Sequence, residues 1–288
     1  MEKTELKAYA KINLALDVTG RRDDGYHLVK MVMQTVDIAD DISFEKTDDG
    51  EITITTDSGE LATDKSNLIY KACELLMSDF SVKGGIRVKL SKHIPIAAGM
   101  AGGSTDAAAA LKAVNMLYEL KLDDERLKEY GLRIGADVPY CIMGGTVLAE
   151  GIGEKLTKQK NVPEAVVLVA KPDINVSTKY VYEHLDALSD YPHPDVEAVI
   201  NAINEGSLEG IALNMGNVLE QVTIPRHPVV QDIKDIMKGD GAIGSMMSGS
   251  GPSVFGLFED ADAAKAAAEK IRNENLAKQV FVTGFVNM

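Results

Sequence analysis

Tryptophan is absent from this sequence, and only two of its 288 residues are cysteine. Cys73 and Cys141 lie far apart and in no metal-ligand spacing, so neither a disulfide framework nor a zinc site is indicated. Both read as buried free thiols of a reducing compartment. No apolar run approaches the ~18 residues that a membrane span requires. The opening stretch MEKTELKAYAKINL lacks the apolar core of a signal peptide, so a cytoplasmic protein is expected. Basic residues are also in deficit: 30 Lys and Arg stand against 44 Asp and Glu, a formal net charge of −14. Nucleic acid and anionic membrane both require a basic footprint and are excluded as main partners. A phosphorylated small molecule is not excluded, because backbone N–H groups and one or two local cations suffice to hold phosphate. No G-x-x-x-x-G-K-[ST] occurs, which removes the P-loop hydrolases, and no G-x-G-x-x-G follows a strand, which leaves a dinucleotide fold unsupported. His93, His184, His193 and His227 form no metal spacing and read as structural or surface residues.

What is present is an ordinary globular composition, 45% hydrophobic and 26% charged, able to bury a core without metals or cross-links. The length allows one large domain or two smaller ones. Residues 6–18, LKAYAKINLALDV, alternate: Ala8, Ala10, Ile12, Leu14 and Leu16 share one face, and Tyr9, Lys11, Asn13, Ala15 and Asp17 the other. After the turn-rich GRRDDGYH, strand-like runs are predicted at 31–38, 41–47, 51–56 and 85–94. Residues 67–79 read as a helix capped by Asn67 or Ser66. A helix from Ser104 or Thr105 to about Leu120 carries the stripe Ala107, Ala110, Leu111, Val114 and Leu117 or Tyr118. A shorter helix over 123–135 has Gly135 as its terminator. Residues 144–154 give a strand and a tight turn, and the polar stretch 155–165 marks a domain boundary, placed at 158/159. Beyond it come a strand at 166–171, several helices, a strand at 253–258, a helix at 260–274 and a final strand at 279–286. The pattern is α+β rather than a regular parallel βαβ array.

The strongest local signal is PIAAGMAGGSTDAAAAL at 95–111. Gly99, Gly102 and Gly103 allow tight turning and close approach of a ligand, and the helix that follows offers unpaired N–H groups and the positive end of its dipole. Glycine loop and helix N-terminus together make an anion site. Ser104 and Thr105 add hydroxyls for phosphate oxygens or a metal ion; read alone, they are an ordinary helix N-cap.

Three segments, in order, resemble the motifs of the GHMP kinases, which include galactokinase, homoserine kinase and mevalonate kinase. KAYAKINLALDVTGRRDDGYH (7–27) resembles the first motif, the glycine loop the second, and SMMSGSGPSVFGLF (245–258) the third, a glycine turn that buttresses the phosphate loop. The resemblance runs the length of the chain and implies the family's two-domain fold. That fold has an N-terminal ribosomal protein S5 domain 2-like part (1–158) and a C-terminal ferredoxin-like α/β sandwich (159–288), with the active site between them. Lys11, Asn13, Gly25-Tyr26-His27 and GADVPY (135–140) point within the family to phosphorylation of the 2-hydroxyl of a cytidine diphosphate-linked methylerythritol, a step of the non-mevalonate route to isoprenoid precursors.

The resemblance implies roles residue by residue. Asp137 is the base and Lys11 its partner, stabilising charge on the transferring group; singly, Asp137 reads as a helix cap before Pro139 and Lys11 as a solvated strand residue. Asn13, on the strand face of Lys11, suits a polyol. Tyr26 and His27 are assigned to the cytosine, one stacking and one reading its edge. Tyr182, where the family usually has Phe, would stack on the other side, or else sit in a helix core. Ile152 and Thr178 complete the substrate residues. Pro95, Ile96, Ala97, Ala98, Gly99, Met100, Ala101, Gly102, Gly103, Ser104 and Thr105 would hold the phosphates of ATP, with Asn67 near the adenine. Mg²⁺ is implied by phosphoryl transfer; some family members use a Glu ligand that has no clear counterpart here, which leaves Ser104 and Thr105. Only small-molecule partners are expected, with the chain a monomer or weak homodimer. Two readings compete: a family member acting on homoserine or mevalonate, which have no base for Tyr26 and His27, and a nucleotide-binding module without catalysis.

Overall fold

A computed structural model describes residues 2–288. Its strands are β1 (Lys3–Arg21), β2 (His27–Thr47), β3 (Ile52–Thr56), β4 (Gly85–Ser91), β5 (Thr146–Gly151), β6 (Lys155–Lys158), β7 (Val166–Lys171), β8 (Gly216–Asn217), β9 (Gly244–Met247), β10 (Val254–Phe258) and β11 (Gln279–Gly284). Its helices are α1 (Leu68–Asp79), α2 (Gly102–Leu117), α3 (Asp124–Leu132), α4 (Val138–Met143), α5 (Thr178–Leu185), α6 (Val196–Glu205), α7 (Leu208–Asn214), α8 (Glu220–Arg226), α9 (Val229–Gly239) and α10 (Ala261–Asn273). Among the described residues no helix is long and apolar enough to cross a membrane. Contacts divide the chain into two units. One holds residues 2–10, Ile38–Ile96 and Ala101–Met143; the other holds Lys11–Asp37, Ala97–Met100 and residues 144–288.

In the first unit the C-terminal half of β2 pairs antiparallel with β4, Phe44 opposite Val88, and β3 lies parallel to β4 on its other side. Ile42, Phe44, Ile86, Val88 and Leu90 turn one apolar face to α1 and α2. Each such burial is worth about 1.5–3 kcal/mol, and Ala72, Ala107, Ala110 and Ala113 let the two helices approach closely. Asn67 caps α1, its Oδ1 accepting from the Ile69 N–H at 2.8 Å.

In the second unit the strand order is β11-β7-β10-β9, antiparallel throughout, with Phe255 opposite both Val169 and Met246. The sheet carries α9 and α10, whose buried stripes are Val230, Ile233 and Met237, and Ala264, Ala267, Ala268 and Ile271. The N-terminal half of β2 pairs with β5, which forms a hairpin with β6. Ala15 and Leu16 of β1 run parallel to β8.

The structure differs from the sequence expectation in five elements. β2 is one strand and not two, because the interrupting Asp40 is fully buried and accepts backbone N–H groups from His93 and Ile94. α2 begins at Gly102, before Ser104, and ends at Leu117. α3 stops at Leu132 with Arg133 as its C-cap, so Gly135 does not terminate it. Residues 155–158 of the polar stretch form β6. The face of β1 expected to be polar is also buried from Ala10 to Val18, Lys11, Asn13 and Asp17 included.

Candidate active site

The loop from Pro95 to Ala101 holds Ala97, Gly99 and Ala101 at φ of 51°, 71° and 58°. Left-handed alanines are disfavoured and persist only where the surroundings impose them, a pattern concentrated at ligand clamps. Ala101 is the N-cap of α2 and gives no side-chain cap, and no acidic residue stands in the first turn. The leading N–H groups are therefore open to an anion at the positive end of a 16-residue helix. Ser104 and Thr105 lie inside the first turn and cap nothing; Ser104 is half-buried and Thr105 buried.

Gly99 is where the loop is braced. A Cβ there would stand 2.1 Å from the Ser248 carbonyl oxygen, so only glycine fits. The Ser248 hydroxyl donates to the Gly99 carbonyl at 3.0 Å. The turn 248–251 is itself tied down, with Asn217 Nδ2 donating to the carbonyls of Met247 (2.9 Å) and Gly249 (2.8 Å). The C-terminal glycine turn thus buttresses the loop, as its resemblance to the family's third motif implied.

Lys11 meets the same point from β1. Its Nζ donates to the Gly99 carbonyl at 3.2 Å and to Asn13 Oδ1 at 2.8 Å, and its backbone N–H donates to the Met100 carbonyl at 3.2 Å. Lys11 is 5% exposed and Asn13 fully buried. A buried ammonium must be hydrogen-bonded to be tolerated, which sets aside the solvated-residue reading. Asn13 Nδ2 rests on the Met31 sulfur at 3.5 Å, a weak acceptor that leaves its donor capacity largely unspent.

Two of the residues expected to face a base, His27 and Tyr182, meet within the second unit. His27 and Tyr182 have ring centroids 4.7 Å apart at 34°. Tyr26 is 60% exposed on the turn after β1, a large aromatic left in solvent. His27 Nε2 lies 2.7 Å from Asp186 Oδ1, and Arg21 donates from Nη1 to Asp186 Oδ2 at 3.1 Å. Thr178, the first residue of α5, shares a 2.9 Å hydrogen bond with the Ser250 hydroxyl. Ile152 is half-buried in the β5–β6 turn, where its N–H donates to the Glu154 carboxylate.

Asp137 is half-buried, immediately before α4 in the first unit, and its backbone carbonyl accepts from the Cys141 N–H at 3.1 Å. The Asn67 side chain is occupied structurally: besides capping α1 it donates through Nδ2 to the Ala62 carbonyl at 2.7 Å.

Two features had no sequence signal. Asp186 follows Tyr182 by one helical turn and looks like any polar residue at a helix end. The second is a buried cluster behind α2, in which Lys92 Nζ contacts Asp40 Oδ2 and donates to Asp106 Oδ2 at 2.9 Å. Asp106 Oδ1 is buried without a partner. Burial, with the Asp40 charge adding to it, pushes the Asp106 carboxyl up to about 8 against the pull of Lys92. This cluster backs the start of α2 directly, since a Cβ on Gly102 would lie 3.0 Å from Lys92 Nζ.

The comparisons with known proteins show the family. The GHMP kinases N terminal domain matches residues 67–145, and the GHMP kinases C terminal matches residues 196–278. The chain belongs to the GHMP kinases and has their two-domain, mixed α/β fold. It is 52% identical to the 4-diphosphocytidyl-2-C-methyl-D-erythritol kinase of Lachnospira eligens, over 98% of both chains. It is 51% identical to the enzyme of the same name from Caldicellulosiruptor bescii, over 93% of this chain and 94% of that one. A crystal structure of 4-(cytidine 5'-diphospho)-2C-methyl-D-erythritol kinase, 32% identical, superposes with a TM-score of 0.84 over 99% of this chain and 100% of the other.

Proposed function

We propose that this chain transfers the γ-phosphate of ATP to the 2-hydroxyl of 4-diphosphocytidyl-2-C-methyl-D-erythritol, a step toward isoprenoid precursors. The observation that carries the reading is the buried Lys11 ammonium, which joins the phosphate loop at Gly99 to the polyol-facing Asn13. Relatives of that name at about half identity over nearly the full length support the substrate, as does the aromatic cluster of His27 and Tyr182 with Tyr26 exposed beside His27 in sequence.

Phosphoryl transfer requires positioning, charge stabilisation and removal of one proton. The N–H groups of residues 96–104, between Pro95, which has none, and Thr105, whose N–H bonds the Ala101 carbonyl, bind the ATP phosphates at the uncapped start of α2. Lys11 stabilises charge growing on the transferred group, in a buried setting where its field is poorly screened. Asp137 accepts the proton of the 2-hydroxyl as that oxygen attacks phosphorus in line. Asn13 donates through Nδ2 to the polyol, and Tyr26, His27 and Tyr182 hold the cytosine, with Thr178 and Ile152 beside it. Asn67 stands near the adenine in this reading, with its side chain spent on the Ile69 N–H and the Ala62 carbonyl and its backbone N–H on the Asp64 carbonyl.

Among the described residues no group of three or more His, Cys, Asp or Glu is arranged to hold a metal ion. Mg²⁺ keeps most of its waters and takes one or two protein oxygens beside the phosphates. Ser104 and Thr105, in the first turn of α2, are the residues that would hold it, and the ion would neutralise charge on the β- and γ-phosphates. In this reading residues 1–158 form the ATP-binding part and 159–288 the C-terminal part. The protein acts in the cytoplasm on small molecules, as a monomer or weak homodimer, consistent with its net charge of −14.

Asp137→Asn tests the chemistry. Turnover should fall by at least ~10³-fold while ATP affinity, measured by calorimetry, stays within about 2-fold. Near-normal turnover in that variant would remove Asp137 as the base.

A further inference from the structure

Asp186 is in an electrostatically awkward position. It is the C-cap of α5, its N–H bonded to the Tyr182 carbonyl at 3.1 Å. The dipole at a helix C-terminus is negative and favours cations, so a carboxylate there is destabilising. What offsets it are Arg21 at 3.1 Å and His27 at 2.7 Å, one on each carboxylate oxygen. Arg21 also donates from Nε to the Gly25 carbonyl at 3.2 Å. One carboxylate thus ties the end of α5 to the His27 ring and, through Arg21, to the turn that carries Tyr26.

A carboxylate can only accept, so the imidazole nitrogen facing it must carry the proton. In a neutral His27 the proton therefore sits on Nε2, and Nδ1 is left as a lone-pair acceptor. The Tyr182 ring at 4.7 Å limits rotation of the imidazole, and the His27 side chain is only 12% exposed. Cytosine offers one donor on its pairing edge, the exocyclic amine, and uracil has a carbonyl oxygen at that place. A fixed acceptor bonds the first and repels the second.

We propose that Asp186 is the positioning residue that makes His27 a cytosine reader, by holding its proton on Nε2 so that Nδ1 accepts from the exocyclic amine and rejects uracil. The inference rests on the assignment of the cytidine to His27 in the proposed function. Asp186 touches no reacting atom, and its effect is confined to recognition of the base.

The test is Asp186→Asn, with Asp186→Glu as the conservative partner, assayed with the cytidine substrate and its uridine counterpart. An asparagine amide can donate to Nε2 and so reverse the tautomer. In Asp186→Asn the KM for the cytidine substrate should rise ~10–100-fold, with kcat and the KM for ATP within about 2-fold. The cytidine-to-uridine ratio of kcat/KM should shrink by at least ~10-fold, with partial recovery in Asp186→Glu. ¹⁵N spectra of His27 should show the Nε2–H tautomer in the parent protein and its loss in Asp186→Asn; thermal unfolding checks that the variants are folded. An unchanged ratio and an unchanged tautomer would overturn the proposal. His27→Ala separates the two levels of the argument. If it raises the KM for the cytidine substrate and Asp186→Asn does not, the base site stands and the role of Asp186 falls. If His27→Ala leaves that KM unchanged, the base assignment fails and the proposal falls with it.

Discussion

At the scale of single residues, the unusual energetics lie in buried charges. Lys11 is held by two neutral acceptors, the Gly99 carbonyl and Asn13 Oδ1. Lys92 is shared between two carboxylates that cannot both ionise cheaply in a dry setting. Asp106 is the one pushed up, to about 8, by burial first and by the Asp40 charge, so it holds its proton at neutral pH. The sign of the linkage follows. The unfolded chain releases this proton near the ordinary carboxylate value of 3.8 and the folded chain at about 8, so between those values the folded state binds more protons. Stability from this group is full below about 4 and is lost as pH rises to about 8, the interval set by those two values. Asp106→Asn, a neutral near-isostere, should remove that loss. Urea unfolding should show the variant gaining on the order of 1–3 kcal/mol relative to the parent on going from pH 5 to pH 8. Equal slopes for the two proteins would show that Asp106 ionises normally.

At the scale of elements, the critical contact is that of the phosphate loop with the turn 248–251. It depends on a left-handed Gly99 with no room for a methyl group. Gly99→Ala should destabilise the protein by about 2–4 kcal/mol and raise the KM for ATP at least ~10-fold, read by thermal unfolding and initial rates. An unchanged KM would mean that the loop does not bind the nucleotide. The elements legible in sequence were those with strong periodicity: the alanine stripe of α2, the amphipathic α10, and the apolar strands β7 and β10. Those that were not depended on distant partners. β2 looks broken at Asp40 unless one knows that Lys92, His93 and Ile94 return to satisfy it. β1 looks half-solvated unless Gly99 is known to sit over Lys11. The start of α2 was misplaced because Ser104 and Thr105 make a good cap on paper, and a left-handed alanine is a poor one. Asp186 was invisible for the same reason, because its meaning comes from Arg21 and His27, more than 150 residues earlier in the chain.

At the scale of the whole molecule, the account joins a family fold to one substrate within that family. Three short motifs spread over the chain were enough to indicate the family, because their order is hard to reach by chance and each has a physical task that the structure locates: a buried lysine, an uncapped helix start and a bracing turn. The chain carries 44 acidic residues against 30 basic ones, and phosphate can be held by backbone N–H groups and one local cation, so net charge carries no information about the proposed site. The substrate rests on fewer groups, Tyr26, His27 and Tyr182, and is the claim most in need of direct measurement. That measurement is the initial rate of ADP formation with Mg²⁺ and ATP, offered 4-diphosphocytidyl-2-C-methyl-D-erythritol beside homoserine and mevalonate. The account predicts turnover with the cytidine substrate alone. Turnover with homoserine or mevalonate and none with the cytidine substrate would keep the kinase and contradict the substrate; ATP binding without turnover on any of the three would contradict the enzyme itself.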